Sequence, residues 1–218
     1  MFRTARLFRA ALACVISLAF AAPAAADTQT AIVPNSAYAN VIRSVNPSVR
    51  EDQSRAYAEA LLFHARRMHV DPRLVMAVVT VESHWNASAV SSSGARGLGQ
   101  FLPGTARDLG VDSRSARSEL RGVSTYLHRL LSIFATSRNA MREAIAGYNA
   151  GPFAVREYGI PRHGETPRYV AKVLSTFRAF AYRLSPQPQV GEVVAVLDEA
   201  QRAERDENAY WGGALTRS

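Results

Sequence analysis

The sequence predicts a mainly α-helical domain. Three observations carry that prediction. Apolar residues recur at three- and four-residue spacing in several segments. Caps and prolines stand where helices would start, and glycines where they would stop. No long stretch alternates apolar with polar residues as a half-buried strand does. The 218 residues are 48% apolar and 20% charged, enough for a packed core and unlike a wholly disordered chain. At this length one or at most two domains fit.

The elements follow in order. Arg3, Arg6 and Arg9, an apolar run over residues 10–22 and small residues from Pro23 to Ala26 read as a secretory signal peptide, residues 1–26. The run is short of the roughly 20 residues a membrane span needs, so the expected destination lies across the inner membrane, in the periplasm. Cys14, the only cysteine, leaves with this segment. Residues 27–47 are small and polar and read as a leader. From Ser48, a cap, residues 50–69 carry Tyr57, Leu61, Leu62, Ala65 and Met68 at helical spacing. Asp71-Pro72 then combines a cap with a proline suited to the first helical position, and residues 73–84 are apolar nearly all round, the mark of a buried helix. Residues 86–102, rich in Ser and Gly, read as a loop. A short helix over 103–109 stops at Gly110. A longer one over 114–135 turns Leu120, Val123, Tyr126, Leu127, Leu130, Leu131 and Phe134 inward. Asn139 caps a helix over 140–148 that stops near Gly151-Pro152, and Thr166 caps another over 167–184. Residues 185–218 read as a linker, Pro186-Gln187-Pro188, and a charged segment.

The formal charge is +8, from 26 Lys and Arg against 18 Asp and Glu. That surplus suits anionic partners such as cell-wall polymer, nucleic acid or lipid head groups. The arginines are spread among acids and Arg66-Arg67 is the only adjacent pair, so the surface reads as mixed and solvated, and nucleic acid is not an expected partner.

Glu82 carries most of the chemistry. On a helix its neighbours three, four and seven residues back are Val79, Val78 and Val75, so its carboxyl rides an apolar face. Scarce water and the carbonyl end of the helix both disfavour its charge. Such a glutamic acid holds its proton near neutral pH, as a general acid must. The same spacing fits a surface glutamate at a frayed helix end. Downstream, Gly94-Ala95-Arg96-Gly97-Leu98-Gly99-Gln100 concentrates glycine where backbone can approach a ligand, and Gln100 can both donate and accept hydrogen bonds. No Gly-Lys-Ser/Thr ending marks a phosphate loop, and an ordinary flexible loop fits equally. Tyr148, before Asn149-Ala150-Gly151-Pro152, fits a site residue or a core residue.

Taken in order, Glu82-Ser83, Ala89-Val90-Ser91, residues 94–100 with Pro103-Gly104-Thr105-Ala106, residues 147–152, and Glu165-Thr166 with Tyr169-Val170 resemble the catalytic domain of soluble-type lytic transglycosylases. The resemblance runs from about residue 70 to 173 and adds nothing before Asp71 or after Leu184; with the flanking helices, residues 48–184 read as one catalytic domain. The resemblance implies a lysozyme-like, mainly helical fold with a groove for peptidoglycan glycan strands. The activity implied is cleavage of the β-1,4 bond between N-acetylmuramic acid and N-acetylglucosamine, leaving a 1,6-anhydro end. By matching motif positions, Glu82 is the single catalytic acid and then base, and Ser91, Gln100, Leu102, Tyr148, Asn149 and Glu165 line the site. Leu102 stands where methionine is frequent. Gly99 stands where the family commonly has methionine, so a thinner groove wall is expected. Trp85 replaces a usual phenylalanine, and Glu119 and Val123 fall where Asn and Gly are expected.

No cofactor or metal is expected: His64, His69, His84, His128 and His163 form no His-Glu-x-x-His pair, and Ser83 and Ser91 lack a nucleophile-elbow motif. Between Ser83 and Arg107 there is no acidic residue, whereas most glycosidases use two carboxylates. One acid fits a reaction in which the substrate's own 2-acetamido group and 6-hydroxyl take part. A goose-type-lysozyme-like hydrolase and a non-catalytic wall-binding or assembly protein are the alternatives. General recycling and local wall opening for secretion or other cell-envelope machinery both fit the small domain.

Overall fold

A computed structural model describes residues 33–185. The signal-peptide reading of residues 1–26, with Cys14, and the linker and charged segment beyond 185 lie outside these described residues. Eight helices follow one another: α1 Asn35–Val45, α2 Glu51–Arg67, α3 Pro72–Ser83, α4 Pro103–Asp108, α5 Ala116–Ile133, α6 Ala140–Ala150, α7 Pro152–Tyr158 and α8 Glu165–Arg183. Among the described residues the β structure is two isolated bridges, Val90 with Arg96 and Arg96 with Phe101. None of the described helices is long and apolar enough to cross a membrane.

The core is organised around α3. Leu74, Val75, Met76, Ala77, Val78 and Val79 are all buried, so every face of this helix is covered, as its unbroken apolar sequence requires. α8, α2 and α5 pack against it, α1 covers α2, and α6 lies against α5, α7 and α8. Asp71 starts α3 by accepting a hydrogen bond from the Arg73 N–H at 2.9 Å, with Pro72 in the first turn. The helix ends abruptly. His84 and Trp85 both adopt left-handed backbone, at φ 50° and 64°, a conformation costing on the order of 1 kcal/mol or more per non-glycine residue. Trp85 offsets that cost: it is 1% exposed, stacks on Tyr57 and donates its indole N–H to Thr80 Oγ1 at 3.0 Å.

The segment read as a leader is in part ordered. Part of the segment 27–47 is α1, whose Tyr38, Ala39, Val41 and Ile42 are buried against α2. The three- and four-residue spacing of Tyr38, Val41 and Ile42 was the available signal, masked by small polar neighbours. At the end of α1, Asn46 Nδ2 donates to the carbonyl of His84 at 2.9 Å. The first helix is therefore tied to the turn that ends α3. Two caps also differ. Arg50 occupies the N-cap position of α2, its N–H accepted by Gln53 Oε1 at 3.3 Å. α8 begins after Gly164, and Thr166 lies inside the helix. α7, which begins at Pro152 just after the expected stop, has one buried side chain, Val155; a seven-residue helix carries too little apolar periodicity to read from sequence.

If α1 belongs to the core, Ile42→Ala lowers the unfolding free energy by about 2–5 kcal/mol. Urea titration measures this, and a free leader would leave the midpoint unmoved.

Candidate active site

Glu82 is the penultimate residue of α3. It lines a cleft of about 430 Å³ together with Ser91, Gln100, Leu102, Tyr148, Asn149 and Glu165. The structure thus brings all seven residues singled out in the sequence to one cleft. Burial pushes the Glu82 carboxyl up to about 7; a hydrogen bond from Tyr169 partly opposes this, and the charge of Glu165 adds to it. Tyr169 donates its hydroxyl to Glu82 Oε1 at 2.5 Å. Burial, and next the charge of Glu82, raise the phenols of Tyr148 and Tyr169 well above their ordinary value. Both remain hydrogen-bond donors near neutral pH.

The other side chains are held by bonds that define what each can offer. Tyr148 donates to the carbonyl of Gly99 at 2.9 Å. Asn149 is fixed at both ends, its Nδ2 donating to Glu165 Oε1 at 3.1 Å and its Oδ1 accepting from Thr166 Oγ1 at 2.9 Å. Thr166, inside the first turn of α8, thus uses its hydroxyl to hold Asn149. Gln100 has left-handed backbone, φ 47°, and its Nε2 donates to the carbonyls of Gly97 at 2.9 Å and Ala89 at 3.1 Å. Its amide hydrogens serve the loop, so its carbonyl oxygen is what it presents to a ligand, narrower than the donor-and-acceptor role the sequence suggested. Ser91 Oγ accepts from the Ala95 N–H at 3.0 Å and pairs with Ser93 Oγ at 2.9 Å, holding the turn that forms the rim. Leu102 lines the same cleft and is exposed.

Sequence reasoning assigned no site role to three aromatic residues. Tyr169, which entered only as part of the Tyr169-Val170 motif and without a role, is the direct partner of Glu82; its place one turn after Glu165 was the available signal. Tyr126 and Phe101 also line the cleft, with ring centroids 5.1 Å and 6.0 Å from Tyr148. Their contacts join residues far apart in sequence, which periodicity does not reveal.

The model of the transglycosylase SLT domain matches residues 59–166. Membrane-bound lytic murein transglycosylase F of Yersinia enterocolitica is 44% identical over 71 residues, 32% of this chain and 15% of that protein. The protein of the same name from Shewanella baltica strain OS155 is 30% identical over 123 residues, 55% of this chain and 24% of its own. A solved structure of lytic transglycosylase Slt from Pseudomonas aeruginosa, an inactive glutamate-to-glutamine mutant, matches with a TM-score of 0.50 at 27% identity. It covers 71% of this chain and 30% of Slt. Residues 59–166 belong to the SLT transglycosylase domain family. The fold is the lysozyme-like helical domain, and the chain spans less than a third of the length of each of these relatives.

Within this SLT domain the expected thin wall at Gly99 is absent. A Cβ added at Gly99 would lie 2.6 Å from Phe101 Cε2 and 2.7 Å from Val123 Cγ2. The volume a side chain would take there is already filled by Phe101 and by Val123, the other departure from the family pattern. The two departures compensate each other. Glu119 is 1% exposed beneath the same loop, and its Oε2 accepts from the Leu98 N–H at 2.8 Å.

Two outcomes follow from this packing and electrostatics. Gly99→Met overpacks the wall and costs about 1–3 kcal/mol, and adding Val123→Gly recovers part of it; a double-mutant cycle of unfolding free energies measures the coupling. For Glu82, the folded carboxyl titrates near 7 against about 4.5 unfolded, so its proton stabilises the fold below pH 4.5 and that contribution is lost as pH rises through 7. Glu82→Gln therefore loses less stability than the parent between pH 5 and pH 8, read from urea midpoints at both.

Proposed function

We propose that the chain is a peptidoglycan lytic transglycosylase that uses Glu82 as its one general acid and base. The observation carrying this reading is a carboxyl kept protonated near neutral pH by burial, at a cleft, with Tyr169 orienting one of its oxygens. Protonated Glu82 gives its proton to the oxygen bridging N-acetylmuramic acid and N-acetylglucosamine, and the C1–O bond breaks. The 2-acetamido carbonyl supports the developing positive charge. The sugar's 6-hydroxyl then closes on C1 and surrenders its proton to the Glu82 carboxylate, which restores the acid and leaves a 1,6-anhydro end. No water is consumed. The Gln100 carbonyl and the Tyr126 and Tyr148 rings suit a neutral substrate rich in hydroxyls and amides. Proton transfer of this kind supplies about 10²- to 10⁴-fold, and binding and distortion of the glycan supply the rest.

Export to the periplasm belongs to the same proposal, supported by the basic start and apolar run of residues 1–26 and by the membrane-bound naming of the relatives. The cleft holds a second carboxyl, Glu165, which accepts a hydrogen bond from Asn149. A hydrolase of the goose-type lysozyme kind would use such a group to position water.

Digestion of purified sacculi followed by mass analysis decides among these reactions. The expected fragments carry anhydro-muramic ends, and Glu82→Gln, correctly folded, lowers their release by at least about 100-fold. Reducing muramic ends would select the hydrolase, and binding without fragments would select a wall-binding protein.

A further inference from the structure

Glu119 takes no part in the cleft, yet it contacts the loop that builds one of its walls. Its carboxyl is laid directly against the backbone: a Cβ added at Gly97 would stand 1.6 Å from Oε1, and Gly97 itself has φ 76°, so only glycine fits there. Oε2 accepts from the Leu98 N–H at 2.8 Å, and Oε1, fully buried, has no hydrogen-bond partner among the described residues. The carbonyl of Leu98 accepts at 3.0 Å from Ser83 Oγ, the residue next to Glu82. One residue further, the carbonyl of Gly99 takes the hydroxyl of Tyr148, and Gln100 folds back onto Gly97. The Leu98 peptide is thus a crosspiece between Glu119 on α5 and Ser83 at the end of α3.

We propose that Glu119 is a positioning residue for the reaction: as a neutral acid it clamps the Gly97–Gln100 turn, and through Leu98 and Ser83 the end of α3 that presents Glu82, and its ionisation loosens that clamp. This rests on the reading of Glu82 as the acid. The groups facing Glu119 are Tyr57 from α2, Asp112 from the connection before α5, and Tyr148 from α6. None supplies a positive charge, and Asp112 carries the same sign. A buried carboxylate with one oxygen unpartnered costs more than the neutral acid in the same place. Burial accordingly raises the Glu119 carboxyl to about 7, against the opposing Leu98 hydrogen bond and with the charge of Asp112 adding. Two carboxyls, Glu119 bonded to the Leu98 N–H and Glu82 next to the Ser83 that holds the Leu98 carbonyl, would then both have to keep their protons for the site to work.

The test is the alkaline limb of log kcat/KM for glycan cleavage in the parent and in Glu119→Gln, which retains an acceptor for the Leu98 N–H. In the parent the limb steepens beyond tenfold per pH unit, toward a hundredfold, because two protons are required. In Glu119→Gln it falls tenfold per unit, set by Glu82 alone. A second measurement is independent of activity: in Glu82→Gln, the Leu98 amide resonance shifts with a midpoint near neutral pH, and in Glu82→Gln with Glu119→Gln that shift disappears. Equal limbs in parent and variant, or a Leu98 amide unmoved between pH 5 and pH 9, overturn the inference. If no preparation releases glycan fragments, the proposed function fails, and the amide titration still decides whether Glu119 clamps the turn.

Discussion

The structure depends on the burial of α3. A helix with Leu74, Val75, Met76, Ala77, Val78 and Val79 in succession has no face to give to water, so α8, α2 and α5 must enclose it. The enclosure ends where α3 ends. Glu82 and Ser83 are the last residues of the helix; Ser83 stays buried and Glu82 lines the cleft. The environment that raises the Glu82 carboxyl is therefore the same one that stabilises the fold. The acid is made by its position in the core's boundary, with Tyr169 fixing its orientation.

The turn after α3 reinforces that placement. Two left-handed residues, His84 and Trp85, stop the helix within one residue of Ser83, and both are anchored from outside the turn. Trp85 reaches back to Thr80 and across to Tyr57, and His84 is held by Asn46 at the end of α1. The N-terminal helices consequently bear on the site without contributing to the cleft. Strained backbone of this kind persists where the surroundings over-determine it.

The loop over residues 86–102 is ordered by polar bonds more than by packing. Its backbone groups are taken up by Ser83, Glu119 and Tyr148 from outside the loop, and inside it by Gln100 and by the isolated bridges at Arg96. Glycine is used where a carboxyl or an aromatic ring comes too close for a side chain, at Gly97 and Gly99. Departures from the family pattern at Gly99, Val123 and Glu119 all fall on this loop or against it. Gly99 and Val123 exchange volume across the wall, and Glu119 exchanges an amide for an ionisable acid.

The helical class, the buried α3 with its Asp71-Pro72 start, and the importance of Glu82 were legible in the sequence alone. Each is a local property: periodicity, a cap, or a carboxyl on an apolar face near a helix end. The six residues that join Glu82 in the cleft were assigned to it only through their ordered resemblance to a family, because residues 82, 100, 149 and 165 have no local reason to meet. Tertiary structure alone decided the rest. Tyr169 reaches Glu82 across 87 positions, Val123 fills the space beside Gly99, Thr166 holds Asn149 from inside α8, and α1 joins the core. All of these are contacts between separate helices, and one-dimensional spacing records which face a residue occupies but not what that face meets.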